Sequence, residues 1–283
     1  ISDVFPAIIF PIEVFYLIIL NNFLYMEKLR IRDANDLDKI SVLKFCKNTF
    51  SWGDYVEYVW NYWISEGHLL LAQKLDPVGI CHAFYSDNQV WIEGIRIEPN
   101  SRRQNIASEL VKHAEIIGLE KNLSFSYMLI DTENPISITM AQSLNYEVFQ
   151  TWNFYTIEPR NNSDHNITFD KSISPKSYSH YVKSWRWLPI DDETLKLFYE
   201  QNRIVNSSIN NKNSIAIITE SDHFDRTLII TLFSNSDESA REILSYLQNF
   251  GWEKNYERIQ ILTKEKLPHF DTLESKISFH LMK

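Results

Sequence analysis

The sequence contains few of the residues that define small disulfide-bonded or metal-ligated proteins. Among its 283 residues are only 2 cysteines, 6 glycines and 8 histidines. Two cysteines, Cys46 and Cys81, are too few for a disulfide framework or a cysteine-based zinc site. The histidines show no metal-ligand spacing, so we expect no metal centre. A reducing, cytoplasmic setting is the simplest interpretation of this cysteine usage.

Positive charge is scarce as well. The chain carries 28 Lys and Arg against 37 Asp and Glu, for a net charge of −9. No basic tract or arginine-rich tail is present, which argues against a nucleic-acid partner. The apolar fraction of 44% and the aromatic fraction of 14% instead indicate an ordinary globular protein with ample core material.

Long apolar runs are confined to residues 1–25, which contain no lysine or arginine. A signal peptide would need a positive start and a small-residue cleavage site, and neither is present. Pro6, Pro11 and Glu13 interrupt the stretch, whereas a membrane span needs about 20 apolar residues. We interpret residues 1–25 as an extension upstream of a start at Met26 and expect no membrane association. A hydrophobic anchor or docking segment is the alternative.

The most informative stretch is Gln89–Gly118. Val90–Ile97 is rich in β-branched and aromatic residues, as expected for a central strand, and Gly94 within it is typical of a bulge. Pro99 ends the strand because proline cannot donate to a ladder. A helix is predicted beyond the turn from apolar residues at helical spacing, namely Ile106, Leu110, Ala114 and Ile117.

This predicted helix begins directly after Ser101, Arg102, Arg103 and Gln104. Free backbone N–H groups, the positive end of the helix dipole and two guanidinium groups would therefore meet at one place. A bidentate guanidinium is well suited to phosphate. The stretch predicts an anion site that fits a diphosphate.

The run Arg102–Ala107 resembles the acetyl-CoA signature of the GNAT superfamily of N-acetyltransferases, Gln/Arg-x-x-Gly-x-Gly/Ala, with Asn105 in place of the first glycine. The preceding run Glu93–Ile97 resembles the signature strand of the same superfamily. The resemblance implies a GNAT fold of the α/β (α+β) class, a mixed twisted sheet flanked by helices, with acetyl-CoA as cofactor. The implied cofactor-binding residues are Ile95, Arg96, Ile97, Arg102, Arg103, Gln104, Asn105, Ile106, Ala107, Ser108 and Asn134.

The predicted order of elements over residues 27–158, β-α-α-β-β-β-α-β-α-β-β, is similar to that superfamily. We assign residues 26–160 to the acetyltransferase domain, with Tyr146–Gln150 and Asn153–Ile157 as its last two strands. After a polar linker, residues 161–283 show a second series of strands around a helix that we expect to end at Gly251. We interpret this half as a smaller, degenerate GNAT-like domain, whose acidic loop at residues 234–238 would repel a diphosphate.

Three residues are candidates for proton transfer. Glu93, beside the expected bulge, is our choice of general base, because carboxylates at similar strand positions act in some relatives. The alternative is a structural or substrate-orienting carboxylate paired with Arg96. The tyrosine that often serves as general acid in the superfamily is replaced by Ala141, and Tyr127 or Tyr155 could substitute for it. The alternative is that each of these tyrosines is a packed aromatic with its hydroxyl hydrogen-bonded.

The acceptor is expected at the loop before the second helix. Trp52, Asp54 and Tyr55 would hold an amine by cation–π contact and charge. The alternative is that these aromatics belong to the core, as we expect of Trp60 and Trp63.

The predicted function is acetyl-CoA-dependent N-acetyl transfer to a small-molecule amine or amino acid by direct attack. A catalytically inactive acyl-CoA-binding or interaction module and a protein N-terminal acetyltransferase are the alternatives. The oligomeric state is left open between monomer and homodimer.

Overall fold

A computed structural model describes residues 28–47, 49, 53–169, 175 and 178–283. The predicted extension, residues 1–25, and the predicted substrate residue Trp52 lie outside the described residues. The elements of the first part of the chain are β1 (Arg30–Asp33), α1 (Lys39–Cys46), α2 (Val56–Glu66), β2 (Leu69–Gln73), β3 (Pro77–Ser86), β4 (Gln89–Ile97), α3 (Ile106–Glu120), β5 (Phe125–Asp131), α4 (Pro135–Ser143) and β6 (Val148–Ile157).

The remaining elements follow a coil segment after β6. They are β7 (His180–Lys183), β8 (Arg186–Pro189), α5 (Asp192–Glu200), β9 (Ile204–Ile209), β10 (Lys212–Glu220), β11 (Thr227–Ser234), α6 (Asp237–Glu253), β12 (Arg258–Thr263) and β13 (Glu274–Met282). Asp191 and Ser236 cap α5 and α6 by accepting hydrogen bonds from first-turn N–H groups.

The chain forms two compact units. The first comprises the described residues of Ile1–Ala83 together with Gly94–Ala114, and the second comprises Phe84–Glu93 together with Glu115–Lys283. The chain passes from the second unit into the first between Glu93 and Gly94, within β4.

In the first unit, β1 pairs with β2 and β2 with β3, both antiparallel. Helices α1 and α2 supply the apolar core of the unit, which includes Trp60 and Trp63 as predicted.

Gly79 in β3 lies so close to Ile97 and Ile106 that an added Cβ would be 2.7 Å from Ile97 Cδ1. The absent side chain therefore lets β3 approach β4 and the first turn of α3.

In the second unit the strands run in the order β4-β5-β13-β6-β12-β11-β10-β9. The pairs β4–β5 and β11–β12 are parallel, and β13 is antiparallel to both β5 and β6. The final strand of the chain thus fills the position between β5 and β6. The sheet is mixed, in agreement with the predicted fold class.

Both faces of this sheet are covered, and the strands alternate accordingly. Ile215 and Ile217 of β10 face a core shared with the β7–β8 hairpin and α5. Ala216 and Ile218 of the same strand face a core shared with α6.

Two predicted element boundaries are wrong. The strands predicted at Tyr146–Gln150 and Asn153–Ile157 form one continuous strand, β6, because β12 and β13 pair along its two edges. Helix α6 passes through Gly251 and ends at Glu253. A Cβ at position 251 would lie 2.7 Å from Ile259 Cδ1, so this glycine permits close packing instead of ending the helix.

The boundary that the sequence predicts between residues 160 and 161 does not separate two sheets. β6, from one side of that boundary, lies between β13 and β12, from the other side. The assignment of residues 26–160 and 161–283 to two related halves stays a prediction.

Both cysteines are free and buried. Within the described part of the chain, every helix is too short or too polar to cross a membrane.

A buried histidine makes the stability of the second unit depend on pH. Burial and the nearby Lys283 ammonium lower the pKa of His180 to about 4. As the pH falls from about 6.5 towards 4, protons therefore bind more strongly to the unfolded chain than to the folded protein. The folded protein loses stability in that window. We expect the difference in unfolding free energy between wild type and His180→Phe to change by roughly 2 kcal/mol between pH 7 and pH 5. Urea unfolding at both pH values measures this, and a difference that is independent of pH would contradict it.

Candidate functional site

Gly94 in β4 lies directly against the indole ring of Trp63. An added Cβ at this position would be 2.3 Å from Cη2 of Trp63, and the glycine has a φ of +65°. This φ is in the left-handed region that side chains disfavour. The predicted bulge residue therefore has two separate reasons to be glycine.

The ring of Trp63 is held from two sides. It is stacked on the imidazole of His82, with centroids 4.9 Å apart, and Tyr55 meets it edge-on at 6.0 Å. Trp63 and His82 are fully buried. Tyr55, a predicted acceptor residue, is thus part of the packing around the signature strand.

Arg96 and Asp54 form a buried ion pair. Arg96 Nε donates to Asp54 Oδ2 at 2.6 Å and Nη2 donates to Oδ1 at 3.2 Å. The Arg96 guanidinium carbon also lies 5.3 Å from the ring centroid of Tyr55. Asp54 in addition accepts from Val56 N at the start of α2. These contacts give Asp54 a structural task, and its predicted contact with an acceptor stays a prediction.

The loop between β4 and α3 contains two residues in the left-handed region. A short 3-10 helix, Pro99–Ser101, is followed by an extended Arg102. Arg103 and Asn105 then take φ values of 60° and 61°. Asn105 stands where the first glycine of the superfamily's signature is usual, and asparagine tolerates this conformation better than most residues.

The same loop is basic and accessible. Residues 102–105 are exposed, and Lys74 Nζ donates to Gln104 Oε1 at 2.7 Å. Arg102 Nε lies 3.3 Å from the carbonyl oxygen of Ile97, at the end of β4. Ile106, Ala107 and Ser108 form the first turn of α3, whose N–H groups have no acceptor within the helix.

Glu93 lies in the other compact unit, where Arg186 binds it. Arg186 Nη2 donates to Glu93 Oε1 at 2.6 Å, and Arg186 Nε donates to the same oxygen at 3.1 Å. Trp91 Nε1 donates to Oε2 at 3.2 Å. Arg96 forms its ion pair with Asp54, and the alternative pairing of Glu93 with Arg96 stays a prediction.

Arg186 was missed in the sequence analysis. Its signal in the sequence is its position between Trp185 and Trp187, in an aromatic segment. A charge buried there without a partner would be destabilising, so the position indicates that Arg186 pairs with a carboxylate. Trp187 is fully buried and belongs to the core of the second unit.

Tyr127, the predicted general acid, is buried in an aromatic cluster of the second unit. Its ring lies 5.5 Å from that of His180 and 6.1 Å from that of Phe149. Burial raises the pKa of Tyr127, so the phenol stays protonated and is a weaker acid than a free tyrosine. Tyr155, the other candidate, accepts a hydrogen bond from Leu267 N.

Asn134 caps α4 by accepting from Ser137 N at 3.1 Å. Ala141, at the position where the superfamily often has tyrosine, is fully buried.

A surface cavity of 410 Å³ is lined by Gln142, Asn145, Tyr146, Glu147 and Val148. None of these is a predicted site residue. In the described ranges, no three His, Cys, Asp or Glu side chains converge in a way that would hold a metal ion.

Comparison with known families identifies the central part of the chain. Residues 37–146 match the model of the acetyltransferase (GNAT) family. This segment covers less than half of the chain but includes β4, the basic loop and α3. The match confirms the resemblance of this segment to the GNAT family. A search among curated proteins finds no match.

Solved structures extend the likeness beyond the matched segment. A protein of Thermoplasma acidophilum assigned to the acetyltransferases superposes with a TM-score of 0.60 at 13% identity, over 89% of this chain and 98% of its own. A GCN5-related N-acetyltransferase from Sphaerobacter thermophilus gives 0.58 at 10% identity, over 90% and 94%. At these identities the superpositions establish the fold alone.

The contact between Gly94 and Trp63 is directly testable. We expect Gly94→Ala to destabilise the protein by roughly 1–3 kcal/mol more than Gly67→Ala, because overpacking is added to backbone strain. Gly67 is a matched control, since it has a φ of +88° but open space around the missing Cβ. Urea unfolding of both variants measures the difference. Equal losses would show that the Trp63 ring is not the constraint.

Proposed function

We propose that this protein is an acetyl-CoA-dependent N-acetyltransferase that acts on a small-molecule amine or an amino acid. The observation that carries the proposal is the loop at residues 102–107. It combines two guanidinium groups, left-handed Arg103 and Asn105, and the first turn of α3, directly after the signature strand. The match of residues 37–146 to the GNAT family supports acyl transfer as the reaction class.

The residues present fit acetyl-CoA. The N–H groups of Gln104–Ala107 and the side chains of Arg102 and Arg103 would hold the diphosphate. The backbone of Ile95–Ile97 would align the pantetheine arm, and Ser108 and Asn134 complete the predicted cofactor set. The parallel pairing of β4 with β5 ends at Ile92 and Met128, immediately before Glu93. Acetyl-CoA, when bound, supplies an acetyl group that is activated as a thioester.

The chain itself has to supply a proton acceptor and a place for the amine. Glu93, next to Gly94 in the signature strand, accepts the proton that the acceptor ammonium releases, directly or through a water molecule. Ala141 stands where the superfamily often has tyrosine, so Tyr127 and Tyr155 are the candidate acids that would protonate the departing thiolate. A thiolate is a good leaving group, because its conjugate thiol is a fairly strong acid.

A small acceptor is favoured over a protein N-terminus by charge. The chain has a net charge of −9, and its sequence contains no basic tract of the kind that docks on a ribosome. We propose a cytoplasmic location, and a monomer or homodimer as the working form.

The diphosphate site is tested by calorimetric titration of acetyl-CoA. We expect Arg102→Ala/Arg103→Ala to weaken binding by about ten-fold or more, because charge-assisted hydrogen bonds each contribute roughly 1.5–3 kcal/mol. The control is Arg160→Ala/Arg226→Ala, which removes the same charge from two exposed arginines paired elsewhere. Equal weakening in both double variants, or no binding by folded wild type, would contradict the proposed site.

N-acetyl transfer itself is measured by thiol release in the presence of a panel of amines and amino acids, with mass spectrometry of the product. Thiol release that depends on an added amine, with the product acetylated on nitrogen, is the expected result. Acceptance of peptide N-termini alone would move the assignment to a protein acetyltransferase.

A further inference from the structure

Arg186 is a buried arginine that contacts the proposed base directly. Its side chain is 4% exposed, and that of Glu93 is 15% exposed. Arg186 Nη2 and Nε donate to Oε1 of Glu93 at 2.6 Å and 3.1 Å. The guanidinium therefore donates two hydrogen bonds to one oxygen of the carboxylate, and these fix the position of that oxygen.

The hairpin that carries Arg186 is firmly anchored beside β4. Trp187 stacks on Trp91 with centroids 5.7 Å apart, and Gln89 Nε2 donates to the carbonyl of Trp187 at 2.7 Å. The guanidinium carbon of Arg186 lies 4.4 Å from the ring centroid of Phe84. Arg186 is thus held over an aromatic ring with its donors directed at Glu93.

The opposite edge of the hairpin is fixed as well. Val182 N donates to Thr231 Oγ1 at 2.7 Å, and Thr219 Oγ1 donates to the carbonyl of Val182 at 2.8 Å. The position of Arg186 is therefore defined by strands β10 and β11 of the second half of the chain.

Resting on the proposed function, we propose that Arg186 is a positioning residue that orients Glu93 for the acceptor amine. Arg186 holds Oε1 with two donors, and Trp91 Nε1 donates to Oε2 at 3.2 Å, so the carboxylate has one defined orientation. The guanidinium also supplies the opposite charge that a largely buried carboxylate needs.

A purely structural ion pair is the competing explanation. Buried ion pairs contribute little to stability compared with well-packed apolar residues, so stability alone is a weak reason for one at this place. The location beside the signature strand favours a role in the reaction. Under this proposal, the second half of the chain supplies a residue that the reaction depends on.

A double-mutant cycle tests the proposal with Arg186→Met, Glu93→Gln and the combination of both. We expect Arg186→Met to lower kcat at least ten-fold while the Kd of acetyl-CoA changes less than two-fold. Arg186→Lys should keep part of the kcat that Arg186→Met loses, since lysine retains the positive charge but cannot place two donors on Oε1 as the guanidinium does. In the Glu93→Gln background, Arg186→Met should cause no further loss, because Arg186 acts through Glu93.

Arg203→Met is the matched control, because Arg203 forms an ion pair with Glu220 in the same unit. We expect it to leave kcat within two-fold of wild type. Losses from Arg186→Met and Glu93→Gln that multiply, or an unchanged kcat in Arg186→Met, would overturn the positioning role.

Urea unfolding of the same four proteins provides a readout that needs no activity. The double variant should be more stable than Arg186→Met alone, since it no longer buries an unpaired carboxylate. Additive losses of stability would overturn the coupling. A wild type that binds acetyl-CoA but acetylates no amine would instead overturn the proposed function, and the positioning role with it.

Discussion

The indole ring of Trp63 occupies the space that any side chain at position 94 would need, and the packing of β4 against α2 depends on this contact. With no Cβ, Gly94 takes a φ of +65° and its backbone lies directly against the ring. Tyr55 and His82 hold the ring in place, and Arg96, two residues further along β4, reaches Asp54 at the start of α2. One close contact therefore ties the signature strand to the loop in which the acceptor is expected.

Each compact unit contains a largely buried arginine that is paired with a carboxylate. Arg96 binds Asp54, and Arg186 binds Glu93. Because a buried charge without a partner is strongly destabilising, each carboxylate has a defined partner and a defined task. Asp54 joins β4 to α2, whereas Glu93 is the carboxylate for which we propose a role in proton transfer. The two carboxylates thus differ in role because of their partners.

Local patterns predicted the part of the fold that depends on local physics. The β4–loop–α3 segment was predictable because strand propensity, Pro99 and helical spacing all act over a few residues, and Asn105 adopts the backbone conformation that its position requires. The partner of Glu93 was not predictable, because Arg186 is brought to it by long-range strand pairing. The same holds for the insertion of β13 between β5 and β6, which merged two predicted strands into one. Gly251 shows the remaining difficulty: a helix-ending glycine and a close-packing glycine look identical in sequence.

The central claim is that the loop after β4 binds the diphosphate of coenzyme A. A crystal structure of the protein with coenzyme A tests this most directly. We predict diphosphate oxygens within about 3 Å of the backbone nitrogens of residues 104–107, with the guanidinium groups of Arg102 and Arg103 beside them. Asn105 should keep its left-handed conformation in the complex. Coenzyme A bound elsewhere on the molecule, with this loop empty, would contradict the account.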